Sequence, residues 1–472
     1  MPLLLPALLS ALPVVTVLLA LALGLRSLSA ALLGTAAAGL AIGLGFPIPP
    51  AAIPDILIHW LPILAEVLLI VAGGLLLSET LRHAGAQAAL ADWLRGRAGH
   101  GVGAVLLVVH GITPFAESVT GFGIGVTIGI PLLACFGLPA RTVAVIGLLG
   151  LCAVPWGSMA PGTLIAATLA DIPFQALGVR SACLSVIPFA VTGVVAAWLA
   201  SAPDGRGRAV WQGILSGLVL TLAVTAVNAV IGTPPAGALG ALVVIALHLL
   251  WAPQRGRVSL GASGLRAVQA YGVLLGGVLI AGGLTTTLAG LSGAWRYLAS
   301  PALWLFVATA WFARGVPPAP PLRKAWTAWV QVAPVTGLFI GLGVLMAVSG
   351  MAAFLARTLA GAGTAYLAAA PFVAAAGGFV TGSNSGANAM FAATQAAIAR
   401  ALGVDVLWFM AVHNVAAAFL LMASPGKIEM AVQLAGGEAA RQRRWIQTTI
   451  LGVAAVVVVA LAAANVGLAT LR

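Results

Sequence analysis

Two stretches of this 472-residue chain concentrate residue types that can do chemistry inside an otherwise apolar sequence. The first reads Pro114-Phe115-Ala116-Glu117-Ser118-Val119-Thr120-Gly121-Phe122-Gly123-Ile124-Gly125, the second Gly377-Gly378-Phe379-Val380-Thr381-Gly382-Ser383-Asn384-Ser385-Gly386-Ala387-Asn388. Glycine lets a helix unwind, and a helix that restarts beyond the break turns free N–H groups and its positive dipole end toward the gap. Such a gap is a ready anion site. Ser118, Thr120, Thr381, Ser383, Asn384, Ser385 and Asn388 add neutral donors, and Gly121, Gly123 and Gly382 let the backbone approach a ligand. Neutral donors hold a carboxylate without the trapping that a fixed charge causes. A single Ser or Thr is more simply explained by a hydroxyl bonded back to its own helix. The polar run in the second break favours binding.

Glu117 is the acid of the first break. A lone carboxylate at membrane depth costs about 2.5–3.5 kcal/mol on insertion scales, and taking up a proton relieves that cost. Glu117 is thus expected to carry a coupling proton; the competing account is a helix cap or an arginine partner. His110, just before Glu117, and His413, after the second break, are further proton-handling candidates, against the simpler account of packing residues. Glu66 and Asp171 are weaker. Arg180 either grips a carboxylate with its fork or snorkels to the interface.

Membrane helices must position these residues. The chain is 61% hydrophobic and only 7% charged, against about 25% charged in an ordinary soluble domain. That composition excludes a water-soluble fold, and the long apolar runs exclude a β-barrel of short alternating strands. Lipid offers no hydrogen bonds to bare backbone, so the runs must span as helices of roughly 20 residues. The expected fold is all-α and polytopic, with about 12 crossings and two broken or re-entrant segments. The net charge of +12 is spread over short gaps: Arg82 with Arg95 and Arg97, Arg206 with Arg208, Arg255 with Arg257 and Arg266, Arg323 with Lys324, and Arg441 with Arg443 and Arg444. This is topological charge, not a nucleic-acid patch, and it assigns the gaps to the cytoplasm. Residues 211–231 with 235–252, and 268–290 with 299–313, then form hairpins, and both termini lie on the periplasmic side of a bacterial inner membrane. The first run lacks the basic start of a signal peptide and is expected to stay as a membrane helix. Residues 78–100 predict one helix lying along the cytoplasmic surface. Cys135, Cys152 and Cys183 have no metal or redox spacing and are expected to be small core residues.

The chain also repeats itself. Val119-Thr120-Gly121 returns as Val380-Thr381-Gly382, and Met159-Ala160-Pro161-Gly162 returns, with one insertion, as Met422-Ala423-Ser424-Pro425-Gly426. Paired glycine-interrupted segments in two halves are the sequence mark of a transporter binding site. A duplication kept only for packing is the alternative. The expected organisation is a first repeat over 1–200 broken at 114–130, a connecting hairpin with loops over 201–267, and a second, inverted repeat over 268–472 broken at 377–397.

At these residues the chain resembles the L-lactate permease family, which includes glycolate permeases. Residues 115–123 are similar to that family's acidic, glycine-rich AGFG segment, Thr381 through Phe391 to its TGSDTSSNALF segment, and Ala423-Ser424-Pro425 to its ISP. The order agrees over residues 110–445. The resemblance implies proton-linked import of a 2-hydroxymonocarboxylate such as lactate or glycolate, with H⁺ as coupling ion and no cofactor or resident metal. The resemblance also favours a binding role for Arg180. The chain departs from the pattern at Asn384, where the family has Asp, and at Thr120, where it has Ala. Na⁺ coupling, or a different carboxylate or a sulfonate as substrate, is the alternative these departures leave open.

An intramembrane serine protease using Ser385 and His413 is the rival enzyme reading. It leaves the repeat unexplained and needs about half as many spans, so no catalytic residue is assigned. A channel would gain its symmetry by oligomerising rather than within one chain. No phosphate-binding loop supports ATP-driven pumping. The expected partners are a small organic anion and the lipid bilayer, with a homodimer left open.

Overall fold

A computed structural model describes residues 4–99, 101–121, 123–251, 259–287 and 297–470. All regular structure among the described residues is helical, and 12 helices are long and apolar enough to cross a membrane. They form two populations. The apolar windows of Val102–Thr120, Ala140–Met159 and Val406–Ala423 are 83%, 89% and 78% buried within the protein, whereas those of Leu4–Ala22, Ser27–Leu44 and Pro203–Val230 are each 33% buried. The first group is the inside of the bundle and the second its rim. Rim leucines such as Leu4, Leu8, Leu19 and Leu222 are exposed, as expected where hydrocarbon rather than water is the solvent.

Without a hydrophobic force between helices in lipid, small residues and close packing hold them together. Helices Val186–Ala200 and Arg206–Val230 meet through Gly193, Gly213 and Gly217. A Cβ on Gly217 would lie 2.7 Å from the carbonyl oxygen of Phe189, so any side chain there forces the pair apart.

Several expectations need correction. Residues 78–100 are not one surface helix. Helix Ile53–His83 runs on through its first part, burying Ser78, Thr80 and Leu81. Gly85, at φ 68°, turns the chain before the separate helix Ala86–Ala98. Gln87 ties the corner by donating to the carbonyl and hydroxyl oxygens of Ser78 at 3.3 and 3.2 Å. Buried bonding of these polar groups outweighs the amphipathic pattern. The expected hairpins exist as Arg206–Val230 with Ala236–Trp251 and as Ala262–Thr287 with Pro301–Phe312. The second arm of the latter, of 12 residues, falls short of a full crossing, and that of the former is described over 16 residues, up to Trp251. Arg255 and Arg257 lie outside the described residues. Cys135 is exposed rather than in the core, because it follows a short helix and sits at the Phe136-Gly137 turn; Cys152 is buried and Cys183 half-buried.

Both breaks fall where glycine and polarity put them. Helix Thr113–Thr120 ends at Gly121 and a new one, Ile124–Ala134, starts beyond it; Thr364–Thr381 ends at Gly382 and Asn384–Ala401 follows. Each Pro-Gly signature also starts a short helix, Pro161–Ala170 and Pro425–Ala435. Proline is well placed there, since its missing N–H is one no helix start can satisfy internally.

Candidate functional site

Four helix starts converge: Ile124–Ala134, Pro161–Ala170, Asn384–Ala401 and Pro425–Ala435. Gly121 (φ 71°), Gly123 (φ 84°) and Gly382 (φ 61°) supply the left-handed turns. The turn before Pro161 is unusual: Ser158, Met159 and Ala160 all have positive φ, at 42°, 62° and 71°, a conformation that costs roughly 1–3 kcal/mol per residue and persists only where packing over-determines it. A Cβ on Gly121 would lie 2.5 Å from Cβ of Ser158, and one on Gly382 would lie 3.2 Å from Oγ of Ser424. The halves also meet across the gap. A Cβ on Gly162 would lie 2.7 Å from Nδ2 of Asn384, and one on Gly123 would collide with Nζ of Lys427.

The starts enclose a cavity of about 350 Å³ lined by Glu117, Gly121, Ser158, Gly162, Thr381, Gly382, Ser383, Asn384, Ser385 and Lys427, and reaching Thr336, Gln331 and Ser27. At ~30 Å³ per liquid water it holds a small organic anion and several waters. The gathered N–H groups and Lys427 make it electropositive, and Glu117 is the one acidic group in its lining.

Glu117 is 5% exposed. Its oxygens accept from the backbone N–H of Gly123 at 2.9 and 3.0 Å and of Gly125 at 3.2 Å. The residue therefore caps the helix that follows its own break. A carboxylate in this position contributes roughly 0.3–2 kcal/mol. Glu117 also interacts electrostatically with Lys427. The capping account raised from the sequence is realised, and the charged partner is a lysine rather than an arginine.

A buried amide cluster lies behind the second break. Asn388 Nδ2 is 3.0 Å from the carbonyl oxygen of Gly162, 3.1 Å from Asn384 Oδ1 and 2.9 Å from Asn414 Oδ1. Asn414 Nδ2 donates to Thr163 Oγ1 and Ser181 Oγ, both at 3.1 Å. At the far end of the same helix, Arg400 donates to the carbonyl of Ala170. Pro161–Ala170 and Asn384–Ala401 thus run side by side in one direction, clamped at both ends.

The expected site residues divide. Glu117, Gly121, Thr381, Gly382, Ser383, Asn384 and Ser385 line the cavity. Gly123 donates its N–H to Glu117 from the edge, and Asn388 donates to Asn384 from behind. Thr120 donates back to the carbonyl of Ala116 and Thr381 to that of Gly377, the local bond a single Thr favours. Ser118 is buried against Gly237 on the far side of its helix. His110 sits in a π-helical turn, 2.8 Å from Ser216 Oγ and 3.2 Å from Thr192 Oγ1, away from the cavity. His413 is buried, and neither ring nitrogen has a hydrogen-bond partner among the described residues, so Ser385 and His413 form no hydrogen-bonded dyad. Arg180 stacks over Trp408 at 4.5 Å outside the lining. Phe122 lies outside the described residues. Ser158, Gly162, Lys427 and the support of Asn414 were not expected; the signal for the first three was their place at the repeated Met-Ala-Pro-Gly signatures.

Residues 322–467 match a family model described as L-lactate permease. Two curated relatives, the L-lactate permeases of Escherichia coli K12 and of Escherichia coli O6:H1, are each 34% identical over 100 residues, covering 21% of this chain and 18% of the relative. The aligned stretch thus spans less than a fifth of those relatives' length. The matched region holds Gln331, Thr381–Ser385 and Lys427; Glu117 and Ser158 lie outside it.

Proposed function

We propose that this chain, a divergent member of the L-lactate permease family, is a secondary carrier that moves a small 2-hydroxymonocarboxylate such as lactate or glycolate together with a proton across a bacterial inner membrane. The observation that supports it most is the convergence of four helix starts on one cavity that holds a carboxylate, Glu117, and an ammonium, Lys427. Anion and proton fit this pair together: Lys427 takes up the anion's charge while the proton neutralises Glu117, so the loaded site adds no net charge to the bundle. Moving the helices that carry the breaks against the rim then exposes the site to the other side. The decisive assay is uptake of labelled lactate and glycolate into liposomes under an imposed proton or sodium gradient. Accumulation driven by protons alone is expected. Accumulation driven by sodium alone moves the coupling to Na⁺, and no uptake of either acid moves the substrate to another carboxylate or a sulfonate.

The cavity's outer end also carries a topological expectation. Ser27 follows Arg26, and Gln331 follows Arg323 and Lys324, residues that charge bias assigns to the cytoplasm with both termini outside. On this reading the cavity is entered from the cytoplasm. In a background with Cys135, Cys152 and Cys183 replaced by alanine, Gln331→Cys is expected to react with a membrane-impermeant maleimide in inside-out vesicles and not in intact cells. Substrate should slow the reaction. Labelling only from outside would invert the topology.

A further inference from the structure

We propose that Lys427 and Ser158 divide recognition of the substrate between them: Lys427 binds its carboxylate, exchanging Glu117 for it, and Ser158 hydrogen-bonds its 2-hydroxyl. The proposal rests on the carrier reading above and names which residues read which part of the substrate.

Ser158 is 2% exposed, lines the cavity, and its Oγ has no hydrogen-bond partner among the described residues. A buried hydroxyl left unpaired is costly, and most such groups find a partner. Here the backbone is held in a disfavoured turn that keeps the hydroxyl where it is. The side chain is wedged between Gly121 and Gly74, where a Cβ on Gly74 would lie 2.7 Å from Ser158 Oγ. Two glycines, a positive φ and an orphaned hydroxyl together describe a donor and acceptor kept for a ligand atom. A carboxylate alone does not need it, because the helix starts and Lys427 already supply donors; an alcohol, which must both donate and accept, does.

Lys427 stands in the first turn of Pro425–Ala435, half-buried, with Nζ against Gly123 and its field shared with Glu117. Glu117 holds its place through the Gly123 and Gly125 N–H groups without needing the lysine. Lys427 can therefore turn to an incoming carboxylate without leaving Glu117 unsupported. The corresponding position after the first Pro-Gly is Thr163, which is fully buried and donates to the carbonyl of Pro155 at 2.7 Å. The cavity thus has a cation at one Pro-Gly start, while at the other Thr163 is turned out of the lining and Ser158, just before Pro161, is the lining hydroxyl, which gives an asymmetric substrate a fixed orientation.

The test is binding to purified wild-type protein in detergent, read as thermal stabilisation by lactate, glycolate and propionate, which lacks the hydroxyl. Lys427→Met is expected to weaken all three by about 100-fold, with Lys427→Arg restoring part of the loss. Ser158→Ala is expected to shrink the preference for lactate over propionate by about tenfold, a loss of discrimination that a merely destabilised protein would not show. Monodisperse elution by gel filtration establishes that each variant is folded. Wild-type binding that Lys427→Met leaves intact, or an unchanged lactate to propionate ratio in Ser158→Ala, overturns this division and leaves the carrier reading standing. Wild-type protein that binds none of the three overturns both.

Discussion

Glu117→Gln is expected to abolish proton-driven accumulation of substrate while leaving exchange of labelled for unlabelled substrate across the liposome membrane. Glutamine keeps one acceptor oxygen for Gly123 but presents an amide NH₂ where Gly125 also donates, so the cap weakens without vanishing. The charge effect is larger. Glutamine cannot take up a proton beside Lys427, so the site loses its coupling proton and accumulation is expected to fall to simple equilibration across the membrane. Exchange survives because it needs no net proton movement. Accumulation at the wild-type level in Glu117→Gln would reduce Glu117 to a helix cap and transfer coupling elsewhere. Loss of both accumulation and exchange would make it part of the binding site instead.

The second large effect is expected at Asn414. Its side chain accepts from Asn384 and Asn388 and donates to Thr163 and Ser181, so Asn414→Leu removes four buried hydrogen bonds at once; Asn388 and Thr163 keep other partners, while Asn384 Nδ2 and Ser181 Oγ are left unsatisfied. Interhelical hydrogen bonds in membranes average about 0.6 kcal/mol each, whereas a buried group left unsatisfied costs about 1–3 kcal/mol. Between these scales a loss of about 2–4 kcal/mol is expected, read as a lowered midpoint of thermal unfolding in detergent. Asn414→Gln should not rescue it, since the longer amide cannot reach all four partners from the same Cα. A midpoint unchanged from wild type would mean that the cluster does not clamp the two helices.

The two breaks, Glu117 and the polar run from Thr381 to Asn388 were legible because glycine, serine and asparagine stand out in a chain of apolar spans. Their chemistry is local, and so was the signal. Lys427 was not singled out, although it directly follows a repeated Pro-Gly, because a lysine two residues before Glu429 reads as an ordinary surface charge. Only the fold brings it against Gly123. Arg180 shows the converse limit: guanidinium chemistry suits a carboxylate, but the fold stacks it on Trp408, some 230 residues onward, outside the cavity lining. His110 likewise faces hydroxyls contributed by two later helices. Spans were predictable from hydropathy; the shortness of Pro301–Phe312 was not, since apolar length does not reveal where a helix turns.

The way Glu117 satisfies itself bears on how the chain is made. Its hydrogen-bond donors, Gly123 and Gly125, are synthesised within the next few residues, whereas Lys427 leaves the ribosome some 300 residues later. At about 5–20 residues per second that interval lasts roughly 15–60 s, during which the carboxylate already lies among newly inserted helices. A self-contained cap lets the amino-terminal portion enter the bilayer without waiting for its distant cation, and assigns to the late-emerging lysine the task of finishing a pocket that is already waiting for it.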